Sequence, residues 1–346
     1  MRLFSAARCP LIKRSCLLVL TTLCVSNVWA HHNSSGIFDF QSTITVHGEL
    51  TRIEWANPHV YFFVKSRNAE GEQQDWSIQA GGIGTMSRMG WTKDRFKIGD
   101  VLALTGNPGI RDKNELLLVN ATSADVVIPI RLQDPGQQRI KDAVANSLAG
   151  TWWTLLDLPQ SMEAFYPDQA KISKRGHAGI ASFDDETEFP GLECVPFIAP
   201  FSMIIADLKV IHIEADVVRI ISEYDNAERV IYLTEKTQEA PAEPSLHGFS
   251  IGTLSDGRLD VVTTNYLEHR VGNGWALASS NQRRLEERFE LAPDGQHLTY
   301  SYTLSDPIYL NAPLTSAWEW VPRNDLKFEA GECDLGNARR YLEGAE

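Results

Sequence analysis

From Ser42 to Trp55 (STITVHGELTRIEW) apolar and polar positions alternate, with Ile44, Val46 and Leu50 on one face before the apolar side switches to Ile53 and Trp55. A period of two is that of a strand with one buried face, and a change of face within it requires an extra residue. The pattern predicts a long first strand carrying a bulge, placed at Gly48. Further strands are expected at 59–65 (HVYFFVK), 73–79 (QQDWSIQ), 101–106 (VLALTG) and 115–121 (ELLLVNA), with a short amphipathic stretch over 83–89 between the third and fourth. Three strands, a short helix and two strands is the order of an OB-type barrel, with a five-stranded meander as the alternative.

The period changes at 137–148 (QQRIKDAVANSL), where Ile140, Val144 and Leu148 fall on one helical face after the Asp134-Pro135-Gly136 turn. Beyond it the period of two returns. Leu298, Tyr300, Tyr302 and Leu304 alternate with Thr299, Ser301 and Thr303, and Leu285 to Leu291 precede them across Pro293-Asp294-Gly295. A second hairpin is expected around Asp225-Asn226-Ala227, and another strand at 258–264. Gly150-x-Trp152 at the start of this half is similar to the opening of lipocalin-type barrels, which hold small apolar molecules. The fold class expected is therefore mainly β: an OB-like five-stranded barrel with one short helix (31–128), a helical linker (129–147), and a larger antiparallel meander or lipocalin-like barrel (148–346).

Composition adds an address. Arg2, Arg8, Lys13 and Arg14 precede a short apolar run, 16–25, and Val28 and Ala30 are small, so residues 1–30 read as a signal peptide cleaved after Ala30 and the mature protein as periplasmic or secreted. The run is too short for a membrane span. The whole chain has 32 Lys+Arg against 45 Asp+Glu, a net charge of −13; without the leader's four basic residues it becomes 28 against 45, or −17. Such a surface repels nucleic acid, the commonest OB ligand. Three of the five cysteines leave with the leader. Cys194 and Cys333 remain, the number that closes one disulfide.

Cleavage after Ala30 would start the mature chain with His31. Its α-amine and imidazole together chelate a metal through two nitrogens, and with His32 or an adjacent amide and one of His47 or His59, His59 being the partner favoured, they would form a nitrogen-rich set suited to copper. His59 ends the motif Trp55-Ala56-Asn57-Pro58-His59, in the loop between the first two strands that in OB barrels faces the ligand. Trp55 and Asn57 are candidate ligand contacts there. In the second half His247, Glu268-His269, Tyr224-Asp225 and Glu332 are the acid–base candidates, and His247 is also taken as a ligand contact. No Gly-rich phosphate loop, Cys-x-x-Cys or His-Glu-x-x-His is present, and the sequence assigns no catalytic residue.

Residues 31–125 resemble an uncharacterised family of exported bacterial domains. The shared features are the His-His pair, Ile37-Phe38-Asp39, Val46-x-Gly48, Trp55-x-Asn57-Pro58-His59, Trp76-Ser77-Ile78, Gly90-Trp91 and Ile98-Gly99-Asp100. Asn33-Ser34-Ser35-Gly36 stands where that family usually continues Ser-Phe. Residues 147–346 resemble a second uncharacterised exported domain through 148–152 (LAGTW), Cys194-Val195-Pro196, Arg229-x-Ile231-Tyr232, Ser250-Ile251-Gly252, Glu287-Arg288-Phe289, Asp306-Pro307-x-Tyr309 and Glu332-Cys333. His247 stands two places from where that family carries Gly-His-Ser. Neither resemblance brings an activity. Two readings stay open: an exported binding protein whose partner is a metal ion, copper, or a small apolar molecule, and an enzyme acting on a hydrophobic small molecule in the second half.

Overall fold

The computed structural model describes residues 37–110, 114–123, 126–129, 139–156, 167–184, 187–233 and 243–342. The protein is mainly β, as its alternation requires. The first barrel is built from β1 (Ile44–Glu54), β2 (Tyr61–Arg67), β3 (Gln73–Gln79), helix α1 (Ile83–Arg88), β4 (Val101–Pro108) and β5 (Glu115–Ser123). Neighbours run β3-β2-β1-β4-β5, and a parallel pairing of β3 with β5 closes the ring, which is the connectivity of an OB barrel. A short sixth strand, β6 (Val126–Pro129), extends the sheet beyond β5. Val46, Leu50, Phe62, Val64, Ile78 and Leu104 point inward and pack on Trp91, which is wholly buried.

The bulge in β1 lies at Thr51, where the register with β2 shifts between Leu50 and Arg52, and not at Gly48. Gly48 answers a different demand. A Cβ at that position would stand 2.8 Å from the Lys65 carbonyl oxygen, so β2 can pass this closely only over a residue without a side chain.

The second barrel is larger. Its strands are β7 (Gly150–Thr154), β8 (Leu208–Ile213), β9 (Val217–Ser222), β10 (Glu228–Leu233), β11 (Phe249–Ser255), β12 (Arg258–Thr264), β15 (Arg284–Leu291), β16 (Leu298–Ser305) and β17 (Leu314–Pro322). They close in the order β7-β8-β9-β10-β11-β12-β15-β16-β17, nine strands in place of a lipocalin's eight. Eight of the contacts around the ring are antiparallel; β10 and β11 run parallel. A two-stranded hairpin, β13 (His269–Gly274) with β14 (Leu277–Ser279), stands apart from the ring. Helix α2 (Lys174–Ala181) packs on β14, and a short helix, α3 (Phe201–Ile204), precedes β8. Trp152, Phe289, Tyr300 and Trp320 fill the interior, with Phe289 4.9 Å from Tyr300 and 5.6 Å from Trp320 between ring centres. This barrel is a packed core built from its own aromatic side chains.

The helix expected over 137–148 is not formed in the part described. Residues 139–149 run as turns and bends: Asp142 adopts a left-handed φ of 72°, which an α-helix cannot contain, and the Ala145 amide donates to the Gly295 carbonyl instead of to its own turn. Ile140 and Val144 are exposed, and of the three predicted face residues only Leu148 enters the core. Among the described residues no helix is long and apolar enough to cross a membrane.

Candidate functional site

The loop between β1 and β2 carries the Trp-Ala-Asn-Pro-His motif, and the Asn57–Pro58 peptide bond is cis. Asn57 is buried, and every polar group it owns is engaged. Its amide donates to the Glu332 carbonyl (3.2 Å) and its carbonyl accepts from the Asp334 amide (2.8 Å). Its side-chain oxygen accepts from the Ile83 amide (2.9 Å), and its side-chain nitrogen donates to the Gly331 carbonyl (3.2 Å). Asn57 thus pins the start of α1 and the chain's last segment to one point. That segment ends in helix α4 (Leu335–Arg339), whose Asn337 donates to the His59 carbonyl (3.2 Å).

A second contact between the barrels is ionic. Arg88, at the end of α1, pairs with Glu223, which follows β9; both side chains are about 95 % buried, at 6 % and 4 % exposure. The other Glu223 oxygen accepts the Glu329 amide (2.8 Å), and Ser87 donates to the Glu329 carboxylate (3.0 Å). The carboxylate lies flat against α1 because residue 84 is glycine, where a Cβ would come within 2.5 Å of it. Burial pushes the Glu223 carboxyl upward, and the Arg88 charge opposes this.

Two cavities open where the barrels meet, and both have Asn57, Pro58, His59 and Tyr224 in their walls. The larger, about 250 Å³, adds Gln79, Thr85, Arg88, Asp207 and Glu223. The smaller, about 50 Å³, adds Phe189, Phe197, Asp225 and the disulfide. Cys194 and Cys333 are bonded, with Cα atoms 5.9 Å apart. Phe189, Phe197 and Tyr224 form a run of ring contacts 5.9 and 6.0 Å between centres. Tyr224 is 42 % exposed, yet its hydroxyl is pushed up to about 12, first by lost solvation and then by Asp225 and Asp207; the residue stands in the walls of both cavities.

Asp225 is the most perturbed carboxyl of this cleft. Its two oxygens accept the Phe197 amide (2.9 Å) and the Ala227 amide (3.2 Å), but burial outweighs these bonds and pushes it up to about 6, with Asp207 adding to the rise. A carboxyl whose folded pKa exceeds its unfolded value holds its proton more tightly in the folded chain, so the fold loses stability as pH rises from about 4 to about 6. From 3.8 to about 6 the shift corresponds to about 3 kcal/mol at most. Asp225→Asn is expected to remove that slope. Urea midpoints of the two proteins should be close at pH 4.5 and separate in the variant's favour at pH 7.5; an equal gap at both pH values would refute the assignment. Lys209, near Asp207, is wholly buried and is pushed down by desolvation against the pull of that carboxylate; it donates to Asp207, to Thr154 (3.1 Å) and to the Ile205 carbonyl (2.7 Å).

The residues singled out in the sequence divide as follows. His59 and Tyr224-Asp225 meet at the smaller cavity. Asn57 lines both cavities but spends its hydrogen bonds on the protein. Trp55 packs against the core of the first barrel and lines neither cavity. His247 is half-buried and also absent from both walls; burial pushes it down, and Arg229 adds to this. Its neighbour His269 is pushed down to about 4 by burial, Arg283 and His247. His31, His32 and the proposed cleavage site lie outside the described residues, as do 130–138 of the expected linker. Among the described residues no group of three or more His, Cys, Asp or Glu side chains converges on a metal position. Phe189, Phe197, Arg88 and Glu223 were not singled out, and no local pattern marks them.

Residues 19–117 match DUF6152, a family of unknown function. The DUF6152 match covers β1 to β4, α1 and the start of β5, and so includes the Asn57-Pro58-His59 loop and Arg88. No curated protein matches the chain.

Proposed function

We propose that this is an exported binding protein that holds a small, largely apolar molecule in the cleft between its two barrels. The observation that carries this reading is the shared wall: one motif loop and one turn, Asn57-Pro58-His59 and Tyr224-Asp225, face each other across the two cavities. Ligand sites favour such boundaries, with apolar walls and a few polar groups. The interior of the second barrel, the other place for an apolar guest, is occupied by Trp152, Phe289, Tyr300 and Trp320. Export rests on the basic leader, the short apolar run and Ala30. Titration with cyclohexanol, followed by amide NMR, tests the site. Shifts are expected at Gly191, Val195, Tyr224 and Gly331, which border the smaller cavity. Shifts confined to β12, β15 and β16 would place the guest inside the barrel and overturn the reading.

A further inference from the structure

We infer that the smaller cavity is a site for an organic cation, an ammonium head bearing alkyl groups. This rests on the proposed binding role of the cleft and names its ligand class. Three aromatic rings, Phe189, Phe197 and Tyr224, stand in its wall beside one carboxylate, Asp225. Aromatic faces attract cations, and methylated ammonium groups are held in this way. No lysine or arginine is among the described lining residues. Asp225 takes two backbone amides but has no ion-pair partner among the described residues; the nearby cation Lys209 is bonded to Asp207. Lys209 attracts Asp225 only from a distance, so the half-buried carboxylate is poorly compensated, and a ligand cation would relieve that cost.

Other ligands fit less well. An anion would meet Asp225 directly, and a metal ion would find one carboxylate among apolar walls, where hard cations need several oxygens. The space, about 50 Å³, suits a compact head group. The chain's net charge of −13 draws cations toward it.

The test compares choline with its uncharged carbon isostere, 3,3-dimethylbutan-1-ol, by calorimetry on the full protein at pH 7.5. Choline is expected to bind about tenfold tighter or more. The preference should shrink but not vanish in Asp225→Asn, where the rings remain, and choline binding should weaken as the pH is lowered through about 6, where Asp225 takes up its proton. His59 and Tyr224 are the other titratable side chains of that wall, with Asp207 and Lys209 near Asp225, so the part of the pH dependence that Asp225→Asn abolishes is the part that belongs to Asp225. Equal affinities for the two probes in the native protein would overturn the inference without recourse to any variant. Choline failing to bind while cyclohexanol does would overturn it alone and leave the cleft a neutral apolar site. Cyclohexanol failing as well would overturn the binding role on which it rests.

Discussion

Replacing Arg229 alone with methionine is expected to destabilise the second barrel by about 3–5 kcal/mol, whereas Arg229→Met with Glu287→Leu costs much less. The two side chains cross the barrel interior from β10 to β15 at 6 % and 0 % exposure. Arg229 donates to Glu287 through Nη1 (2.7 Å) and through Nη2, which also reaches Thr263 (2.8 Å) and Ser250 (3.3 Å). Tyr300 donates its hydroxyl to Glu287 (2.9 Å). Burial works against the guanidinium charge, and Glu287 more than restores it, so Arg229 stays ionised. The single variant strands a carboxylate in an apolar interior with one tyrosine hydroxyl for company. The double variant strands no charge: Ser250 and Thr263 still bond each other (2.8 Å), and only the Tyr300 hydroxyl loses its acceptor. Urea unfolding followed by tryptophan fluorescence measures both, since Trp320 sits 5.8 Å from Tyr300 between ring centres. A double variant as unstable as the single one would show that the pair is net stabilising and not merely self-compensating.

That pair also marks a limit of what alternation discloses. Arg229 shares the inward phase of Ile231 in β10, and Glu287 shares that of Leu285 and Phe289 in β15. A charged residue at an inward position on each of two strands was therefore visible, but their meeting depends on β11 and β12 lying between them. The strands themselves were readable, because one buried face imposes its period: β16 alternates inward and outward along its whole length. The same logic misplaced the bulge, since Gly48 marks close passage of β2 and the extra residue, Thr51, has no such signature. It also favoured a helix at 137–148, where one left-handed residue, Asp142, breaks the repeat.

The candidate site was legible only in pieces. His59 and Tyr224-Asp225 were each visible as loop or turn residues capable of acid–base or ligand contacts, and Cys194 with Cys333 followed from the cysteine count. What brings them together is the packing of one barrel on the other through Arg88, Glu223 and the last segment of the chain, contacts that span 135 positions and more and follow no periodic rule. Asn57 is the clearest case. Its type suits a ligand contact, and its surroundings make it a fastening.

The disulfide should matter most at that fastening. It joins Cys333 to Cys194, which follows the short turn Pro190–Glu193, and closes a separation of 139 residues, worth up to about 5 kcal/mol on the chain-entropy model. Its removal acts unevenly. Cys333 lies between Glu332 and Asp334, whose backbone groups bond Asn57, and two residues from Gly331, which accepts the Asn57 side chain. Freed of the bridge, this segment has short helix α4 and a few hydrogen bonds to hold it, including Arg340 to Glu54 and Asn337 to His59. In Cys194→Ser/Cys333→Ser, amide exchange is expected to accelerate at Asp334 and at Ile83, the donor to Asn57, while the amides of β15 and β16 keep their protection. Cyclohexanol binding should weaken in the same variant, because the bridge and the segment it holds form one side of the smaller cavity. Uniform loss of protection across both barrels would mean that the bridge stabilises the chain as a whole, and unchanged exchange at Ile83 would mean that Asn57 holds the junction without it.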